Sequence, residues 1–389
     1  MKVTTGLERF LARPPKRAAR GRVGLLCNQA SIDSRFRHAS ALMARECGSR
    51  LAVLLSPQHG LRGEKQDNMV ESPHLTDRWL GIPAYSLYAD SRRPTEEMLS
   101  KIDILVVDLQ EAGCRVYTFI TTLLYCLEEA ARLGKKIVVL DRPNPIGGNL
   151  EGPPLREEMI SFVGAYPIPM RHGLTLGELA LFFNGEVGLD ADLDVIPLHG
   201  WTRAMYFTDT GLPWVPPSPN LPTAESTLVY PGQVLLEGTN LSEGRGTTRP
   251  FELCGAPYVD PPVLLGNLGR RKIPGAVLRK AWFEPTHQKW AGELCGGLQI
   301  HVTNRETFRP WRTTLTLLRE VIRLWPGEFA WKKPPYEYEH RRLPFDILAG
   351  DPRIRRQLEE GRPPSETARL GKGRLDSFRR RAENYSIYV

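Results

Sequence analysis

The sequence predicts an α/β protein with a Rossmann-like, mostly parallel sheet, followed by a second, smaller α+β domain. Two observations support this prediction. Short apolar runs alternate with helical patterns through the first half of the chain, which is typical of β-α-β units and a parallel sheet. The chain has 389 residues, which is long enough for two hydrophobic cores. We therefore expect two domains, over residues 1–228 and 229–389.

The strands of the first half are predicted from four apolar runs. These runs are short, rich in leucine or β-branched residues, and hardly alternate with polar residues, as expected for strands covered on both faces. The segments between them carry apolar residues at helical spacing, and Gly134 follows the last segment as a C-cap. The strands are expected over residues 23–27, 51–55, 102–108 and 137–141, and the helices over residues 39–47, 94–100 and 118–132.

The pattern changes after a proline-rich stretch, residues 212–223, because proline cannot continue a central strand or a helix interior. This stretch is the expected edge of the first domain. Before it we expect a helix over residues 175–184 and a strand over 194–197. Beyond it the sequence predicts isolated strands over residues 277–284 and 298–303, with helices over 311–324 and 354–360.

Composition limits the function classes. The formal net charge is +8, but the arginines are concentrated in residues 13–22 and 341–381 without a recognition motif, so nucleic acid is not an expected partner. No segment approaches the roughly 20 apolar residues of a membrane span, and no signal peptide is evident. The six scattered cysteines are expected to be mostly reduced, buried thiols. We expect a cytoplasmic protein.

Polar side chains follow three of the predicted strands. In an open parallel sheet, ligands bind outside the carboxyl ends of the strands, so these residues are candidates for gripping a hydroxyl-rich ligand and exchanging protons with it. The candidates are Gln58, His59, Arg62 and Glu64 after the second strand, Asp108, Gln110, Glu111, Arg115 and Tyr117 after the third, and Asp141, Arg142 and Asn144 after the fourth.

A second cluster lies on a glycine-rich loop just past the proline-rich stretch, which we call the junction loop (residues 237–246). It contains Glu237, Asn240, Glu243 and Arg245. Polar side chains on such a loop between two domains are well placed to close a cleft. Purely structural interpretations stay open beside the functional ones, because strand-end aspartates often cap the following loop and a buried histidine often only satisfies hydrogen bonds.

Several chemistries lack their signatures. No G-x-G-x-x-G follows the first strand, so a dinucleotide cofactor is not expected despite the layout of the sheet. The chain also lacks a Walker A loop, H-E-x-x-H and G-x-S-x-G. No spacing indicates a metal site. We expect neither a cofactor nor a metal.

Long strings spread over the chain resemble the exo-β-N-acetylmuramidase family, formerly a family of unknown function. In chain order they are PQHGLRGE, DLQEAGCRVYTF, LDRPNP, PMRHGLTLGELA, PSPNLPT, EGTNLSEGRGTTRPFE and PFDILAGDPRIRRQLEEG. The resemblance covers nearly the whole chain. It implies a Rossmann-like catalytic domain, a smaller C-terminal domain, and release of N-acetylmuramic acid from the non-reducing end of peptidoglycan-derived sugars, with a muropeptide or amino sugar as the ligand.

The chemistry implied by this resemblance is acid and base catalysis by carboxyl groups, which glycoside hydrolysis generally needs. Glu64 is the expected acid or base, with Glu237, Glu243 or Asp108 as its partner. A substrate-assisted route through the acetamido group stays open. The expected contacts to sugar hydroxyls, the acetamido group or the lactyl carboxylate are Gln58, His59, Arg62, Gln110, Tyr117, Asp141, Arg142, Asn144, His172, Asn240 and Arg245.

One departure from the family pattern supports an alternative. The family often has glutamate immediately before the His-Gly of the first string, whereas this chain has Gln58, which cannot donate a carboxyl proton. The alternative function is a non-catalytic carbohydrate-binding or sensing protein. A nucleotide-dependent transferase is disfavoured by the missing glycine fingerprint.

Overall fold

The computed structural model describes residues 2–14, 21–269, 273–367 and 369–389. Of the basic N-terminal segment discussed above, residues 15–20 therefore lie outside the described residues. Within the described ranges, a seven-stranded, mostly parallel sheet forms in the first half of the chain and a three-stranded antiparallel sheet in the second half. The predicted fold class is confirmed.

The large sheet and its helices come from the first half of the chain. The strands are β1 (Val23–Cys27), β2 (Leu51–Ser56), β3 (Leu75–Thr76), β4 (Pro83–Ser86), β5 (Ile104–Asp108), β6 (Lys136–Leu140) and β7 (Leu193–Ile196). The helices are α1 (Gly6–Ala12), α2 (Ala39–Cys47), α3 (Glu96–Ser100), α4 (Phe119–Arg132) and α5 (Leu176–Val187).

The strand order of the large sheet is β3-β4-β2-β1-β5-β6-β7. Strand β3 is antiparallel to β4, and the other neighbours are parallel. Without β3, the six parallel strands follow the order of dinucleotide-binding sheets, which reverses between the first and fourth strands. The ends of β1 and β5 therefore flank the crevice where such a sheet usually binds its ligand.

Alternate residues of each central strand face opposite layers, because side chains on a strand alternate between its two faces. Leu25 and Val106 pack into the core formed with α1 and α2, whereas Leu26 and Val107 pack into the core formed with α3, α4 and α5. Each fully buried leucine contributes roughly 1.5–3 kcal/mol relative to an exposed one. This two-sided burial explains why the strands lack polar alternation.

The second half of the chain packs against the same core. Its elements are α6 (Ala224–Gln233), β8 (Leu253–Ala256), α7 (Pro261–Leu268), β9 (Ala276–Phe283), β10 (Cys295–Val302), α8 (Pro310–Leu324), α9 (Pro344–Ala349), α10 (Pro352–Glu359), α11 (Pro364–Thr367) and α12 (Lys372–Glu383). One buried cluster contains side chains of α4, β10 and α8, such as Leu123, Leu298 and Leu315. The two halves thus share apolar packing.

Most predicted elements are observed with small shifts at their ends, and helix α2 has the predicted bounds. The sequence analysis missed the strands β3, β4 and β8 and the helices α1, α6, α7, α9, α11 and α12. Strand β10 begins three residues earlier than predicted because its glycines do not interrupt it: a Cβ at Gly297 would lie 1.9 Å from the carbonyl oxygen of Cys254. The predicted boundary after residue 228 falls within α6, and the division into two domains stays a prediction.

The cysteines and the helices bear on two further expectations. All six cysteines are buried and unpaired, as expected for reduced thiols. In the part of the chain that the structure describes, no helix is both long enough and apolar enough to cross a membrane.

The C-terminal end is tied to the end of β6. The hydroxyl of Tyr388 donates to Asp141 Oδ2 at 2.5 Å, and the same carboxylate accepts hydrogen bonds from the Thr175 hydroxyl and the Gly177 N–H, both at 2.7 Å. Burial raises the pKa of Asp141 to about 7, although these hydrogen bonds favour its charged form. The Tyr388 side chain therefore ties the C-terminal end to the buried end of β6.

We predict that Tyr388→Phe lowers the free energy of unfolding by about 1–2 kcal/mol, because it removes the hydrogen bond to the buried Asp141 carboxyl group and the one that the hydroxyl accepts from the Leu198 N–H. Tyr385→Phe is the matched control, since its hydroxyl bonds Glu186 at 3.2 Å in a more exposed place, and we expect a smaller loss. Urea denaturation of both variants measures the difference. Equal losses would contradict the anchoring role of Tyr388.

Candidate active site

The crevice between β1 and β5 is filled by the chain itself. The proline-rich segment crosses it, and the side chains of Asn28 and Gln29 donate hydrogen bonds at 2.8 Å to the carbonyl oxygens of Pro217 and Pro216. A cavity of about 10 Å³ remains beside this segment, which is room for about one water. The usual dinucleotide position on such a sheet is therefore blocked.

A polar cavity of about 40 Å³ lies beside this blocked crevice, and we call it the closed cavity. It forms where the loops after β2 and β5 meet the junction loop and a tight turn at residues 336–339. Of the predicted site residues, Gln58, His59, Tyr117, Glu237 and Arg245 line it. Asn68, Tyr336 and Glu337 also line it and were not predicted.

Glu237 is held in the closed cavity by three donors. Arg245 Nη2 lies 2.6 Å from Glu237 Oε1, and the Tyr336 hydroxyl donates to Oε2 at 2.6 Å. The side-chain amide of Asn68 donates to the same Oε2 at 3.3 Å. A guanidinium group and two neutral donors therefore face this carboxylate.

Arg245 connects Glu237 to a second ion pair behind it. Its Nε lies 3.1 Å from Glu243 Oε1, and Lys289 Nζ lies 2.8 Å from Glu243 Oε2. Burial alone would raise the pKa of Glu243, but Lys289 and Arg245 outweigh burial and lower it. Arg245 Nη1 is buried and has no hydrogen-bond partner among the described residues. A buried guanidinium N–H without a partner is well suited to an anionic group of a ligand.

Glu337 has a different environment on another side of the same cavity. Its Oε1 accepts a hydrogen bond from Gln58 Nε2 at 3.1 Å, and its Oε2 accepts one from the Tyr88 hydroxyl at 2.7 Å. The Thr118 hydroxyl donates to Gln58 Oε1 at 2.7 Å, which fixes the orientation of the amide. Burial raises the pKa of Glu337. No ion pair to Glu337 is formed by the residues that the structure describes.

His59 is held as a neutral imidazole at the edge of the closed cavity. Burial lowers its pKa to about 4. Its Nδ1 lies 2.7 Å from the carbonyl oxygen of Lys65, so Nδ1 must carry the hydrogen and Nε2 a lone pair. The backbone of His59 has a φ of 75°, a left-handed conformation that is uncommon for a residue other than glycine.

Asp108 and Arg142 do not line the closed cavity but form a buried ion pair. Arg142 Nε and Nη2 lie 2.5 and 2.9 Å from the two carboxylate oxygens of Asp108, and Arg142 also donates to the Ile32 carbonyl oxygen. All three residues belong to the strand-end loops beside the proline-rich segment. Asp108 and Arg142 thus connect the strand ends, and they are not brought to Glu237.

The other predicted residues after the third and fourth strands also make contacts within the fold. Gln110 donates to the Pro143 carbonyl oxygen at 2.9 Å, and Asn144 donates to the Leu174 carbonyl oxygen at 2.8 Å. His172 is fully buried, with its Nε2 3.4 Å from Glu111 Oε2. Asp141 binds Tyr388, as described above. Arg115 is buried, and its Nη1 donates to the Pro153 carbonyl oxygen at 3.1 Å.

Glu64, the expected acid or base, is exposed and does not line the closed cavity. Its Oε2 accepts a hydrogen bond from the Arg62 backbone at 3.1 Å. Arg62 is directed away to Asp77 at 3.2 Å and stacks on Trp79. In the junction loop, the side chain of Asn240 makes a structural hydrogen bond: its Nδ2 donates to the Glu328 carbonyl oxygen at 2.7 Å. The structure therefore does not bring these residues to Glu237.

The sequence analysis missed Tyr336 and Glu337. They lie in the string PPYEYE, residues 334–339, four residues before the string PFDILAG that was part of the family resemblance. Two tyrosines alternating with two glutamates after two prolines are an unusual composition for a loop, and this was the available signal. It was missed because the residues lie far along the chain from the parallel strands.

The chemical groups of the site are those of carbohydrate chemistry. Among the described residues, no group of three or more His, Cys, Asp and Glu side chains could hold a metal ion. The closed cavity instead combines a carboxylate paired with a cation, a second carboxyl group without one, an unpartnered guanidinium N–H and a neutral imidazole. Such a set can transfer protons and bind an anionic, hydroxyl-rich molecule.

Comparison with known proteins identifies the relatives of this chain. Family models described as the N-terminal and C-terminal parts of "Exo-beta-N-acetylmuramidase NamZ" match residues 23–225 and 228–388. The chain is 42% identical to "Peptidoglycan beta-N-acetylmuramidase NamZ" of Bacillus subtilis (strain 168), over all of this chain and 92% of that protein.

Two crystal structures of DUF1343 family proteins from Bacteroides fragilis NCTC 9343 have the same fold. One has a TM-score of 0.89 at 34% identity, and the other a TM-score of 0.78 at 29% identity. Each comparison covers 100% of this chain and 99% of the other chain. The fold, the matched models and the full-length identity agree, and the chain belongs to the NamZ family of exo-β-N-acetylmuramidases.

Proposed function

We propose that this protein hydrolyses β-N-acetylmuramides and releases N-acetylmuramic acid from the non-reducing end of peptidoglycan-derived sugars. The observation that carries the proposal is the unpartnered Nη1 of Arg245, in a cavity that also holds Glu237 and Glu337. N-acetylmuramic acid differs from N-acetylglucosamine by its lactyl group, whose carboxylate is an anion at neutral pH. A buried guanidinium binds such a carboxylate with directional, charge-assisted hydrogen bonds.

The relatives support the same substrate class. The matched family models carry the name exo-beta-N-acetylmuramidase, and the Bacillus subtilis relative is named a peptidoglycan beta-N-acetylmuramidase. The identity of 42% extends over the whole chain, so it includes both the parallel sheet and the part that completes the closed cavity. We propose the same reaction for this chain.

The chemistry needs one group that protonates the leaving oxygen and a second that activates water or orients the acetamido group. Glu237 suits the second role, because Arg245 and Tyr336 fix its two carboxylate oxygens by hydrogen bonds. The sensing alternative was based on the missing carboxyl group at Gln58. Because the closed cavity contains two other carboxyl groups, the amide at this position is compatible with catalysis.

We predict that the purified protein releases the chromophore from a chromogenic β-N-acetylmuramide and not from the matching β-N-acetylglucosaminide. Absorbance assays with both substrates measure this selectivity. If neither sugar is cleaved while calorimetry detects binding of N-acetylmuramic acid, the protein is a sensor and the proposed hydrolase activity is wrong.

We predict that Arg245→Lys lowers kcat/KM for the muramide about 10- to 100-fold. Lysine keeps the charge beside Glu237 and Glu243 but loses the planar fork, and a hydrogen bond to a charged group contributes about 1.5–3 kcal/mol. A muramide whose lactyl carboxylate is converted to an amide provides the comparison. We expect the wild type to prefer the carboxylate form and the variant to lose that preference.

Arg249→Lys is the matched control, because Arg249 follows the junction loop closely in the chain but its side chain is half exposed and bonds Glu252. We expect wild-type kinetics from it. If Arg245→Lys slows both the carboxylate and the amide substrate equally, Arg245 does not recognise the lactyl group.

A further inference from the structure

Glu337 sits at the tip of a tight turn that closes the cavity. The turn is formed by reciprocal backbone hydrogen bonds of 2.9 Å between Tyr336 and Glu339. Its two central residues, Glu337 and Tyr338, have φ values of 45° and 66°. Neither is glycine, so the turn holds two residues in a sparsely populated left-handed conformation, and such strain concentrates at functional sites.

The partners of Glu337 suit a carboxyl group that carries a proton. Gln58 donates an amide hydrogen to Oε1, and Tyr88 contacts Oε2 with a hydroxyl that can either donate or accept. Both partners are therefore compatible with the neutral and the charged state. Glu337 is 4% exposed, and burial without a cation favours the neutral acid.

Glu237 and Glu337 share a cavity but differ in charge environment. Arg245 pairs directly with Glu237, whereas no cation is in contact with Glu337 in the described part of the chain. The negative charge of Glu237 further raises the pKa of Glu337, and the more distant Arg245 partly offsets this. One carboxyl group paired with a cation beside another that is buried without a cation is the usual arrangement of a charged carboxylate and its acid partner in hydrolases.

The cavity is too small for a sugar while the turn is in place. Its volume is about 40 Å³, whereas small-molecule sites usually measure roughly 300–1,000 Å³. The turn is held by contacts to the first half of the chain: the Glu337 N–H lies 3.2 Å from Met69 Sδ, Tyr338 donates to Glu71 at 3.1 Å, and Arg92 stacks on Tyr338. Met69 and Tyr338 are 38% and 44% exposed, so these contacts lie at the surface.

We propose that Glu337 is the general acid of the reaction, and that its turn withdraws to admit the sugar and returns to place the acid at the glycosidic oxygen. This proposal rests on the hydrolase function proposed above. The carboxyl proton of Glu337 passes to the glycosidic oxygen, and the bond from that oxygen to C1 breaks with its electron pair staying on the oxygen. Water provides the hydroxyl group that ends on C1, and its remaining proton replaces the one that Glu337 gave.

A leaving-group series tests this role. We predict that Glu337→Gln lowers kcat/KM about 100- to 10,000-fold for the disaccharide N-acetylmuramyl-β-1,4-N-acetylglucosamine, whose leaving sugar must be protonated. For 2,4-dinitrophenyl β-N-acetylmuramide, whose leaving group departs as an anion, we expect a loss below about tenfold. Glu339→Gln is the control, because Glu339 lies in the same turn, is ionised and bonds Arg342 outside the cavity.

The outcomes separate the two proposals. If the wild type cleaves neither substrate, the proposed function and this inference are both wrong. If the wild type is active but Glu337→Gln slows both substrates equally, Glu337 only holds the turn. If the wild type is active and Glu337→Gln cleaves the disaccharide at the wild-type rate, another group is the acid. Either of the last two results overturns this inference alone.

Tyr88→Phe provides a second test that keeps the carboxyl group. An acid must be protonated to act, so activity is lost as the pH rises through its pKa. The Tyr88 hydrogen bond lowers the pKa of Glu337, so its removal is expected to move the alkaline limb of kcat/KM to higher pH. The other groups around Glu337 are unchanged: Gln58, His59, Glu237, Arg245, Tyr336, and Arg92 beyond the Tyr88 ring. An unmoved limb in a folded, active variant overturns the assignment.

Discussion

The buried ion pairs of Arg245 are the interaction on which the site depends. One guanidinium group contacts Glu237 and Glu243, and Lys289 completes the set. Two carboxylates and two cations balance in charge, which allows all four groups to stay buried. Removing one partner of such a pair leaves an uncompensated buried charge and costs roughly 3–5 kcal/mol. The junction loop is therefore held in one conformation, with Glu237 paired to Arg245 beside a second carboxyl group.

The same balance leaves Glu337 without a cation. The cavity thus contains one carboxyl group paired with a cation and one that is buried without a cation, and burial raises the pKa of the second, Glu337. Gln58 contributes by donating an amide hydrogen to Glu337 without adding a charge.

The sheet could be predicted from the sequence because its signals are local. Strands β1, β2, β5 and β6 are buried on both faces, so their apolar runs lack alternation and are recognisable without any tertiary information. Gln58, His59 and Tyr117 line one cavity, since the ends of parallel strands meet at one edge of the sheet. The glycines of β10 and the proline within α6 gave misleading local signals, which tertiary packing overrides.

The site was predicted less completely, because its decisive partners come from distant parts of the chain. Glu337 lies 279 residues from Gln58 along the sequence, and nothing local to either residue indicates the contact. Some predicted residues have the side chains expected of a binding site but form hydrogen bonds with other parts of the chain instead. They are Asp108, Asp141, Arg142 and Asn144. The proline-rich segment is one reason why these residues do not line the cavity. It fills the crevice beside Asp108, and the closed cavity lies next to the junction loop instead.

A crystal structure of the Glu337→Gln variant with N-acetylmuramyl-β-1,4-N-acetylglucosamine would test the central claim most directly. If Arg245 recognises the lactyl group and residue 337 faces the bond that breaks, the lactyl carboxylate will bind Arg245 Nη1. The glycosidic oxygen will then lie within about 2.6–3.2 Å of the side-chain amide at position 337. A disaccharide bound beside Glu64 or Asp108, with Arg245 and residue 337 out of contact with it, would contradict this account.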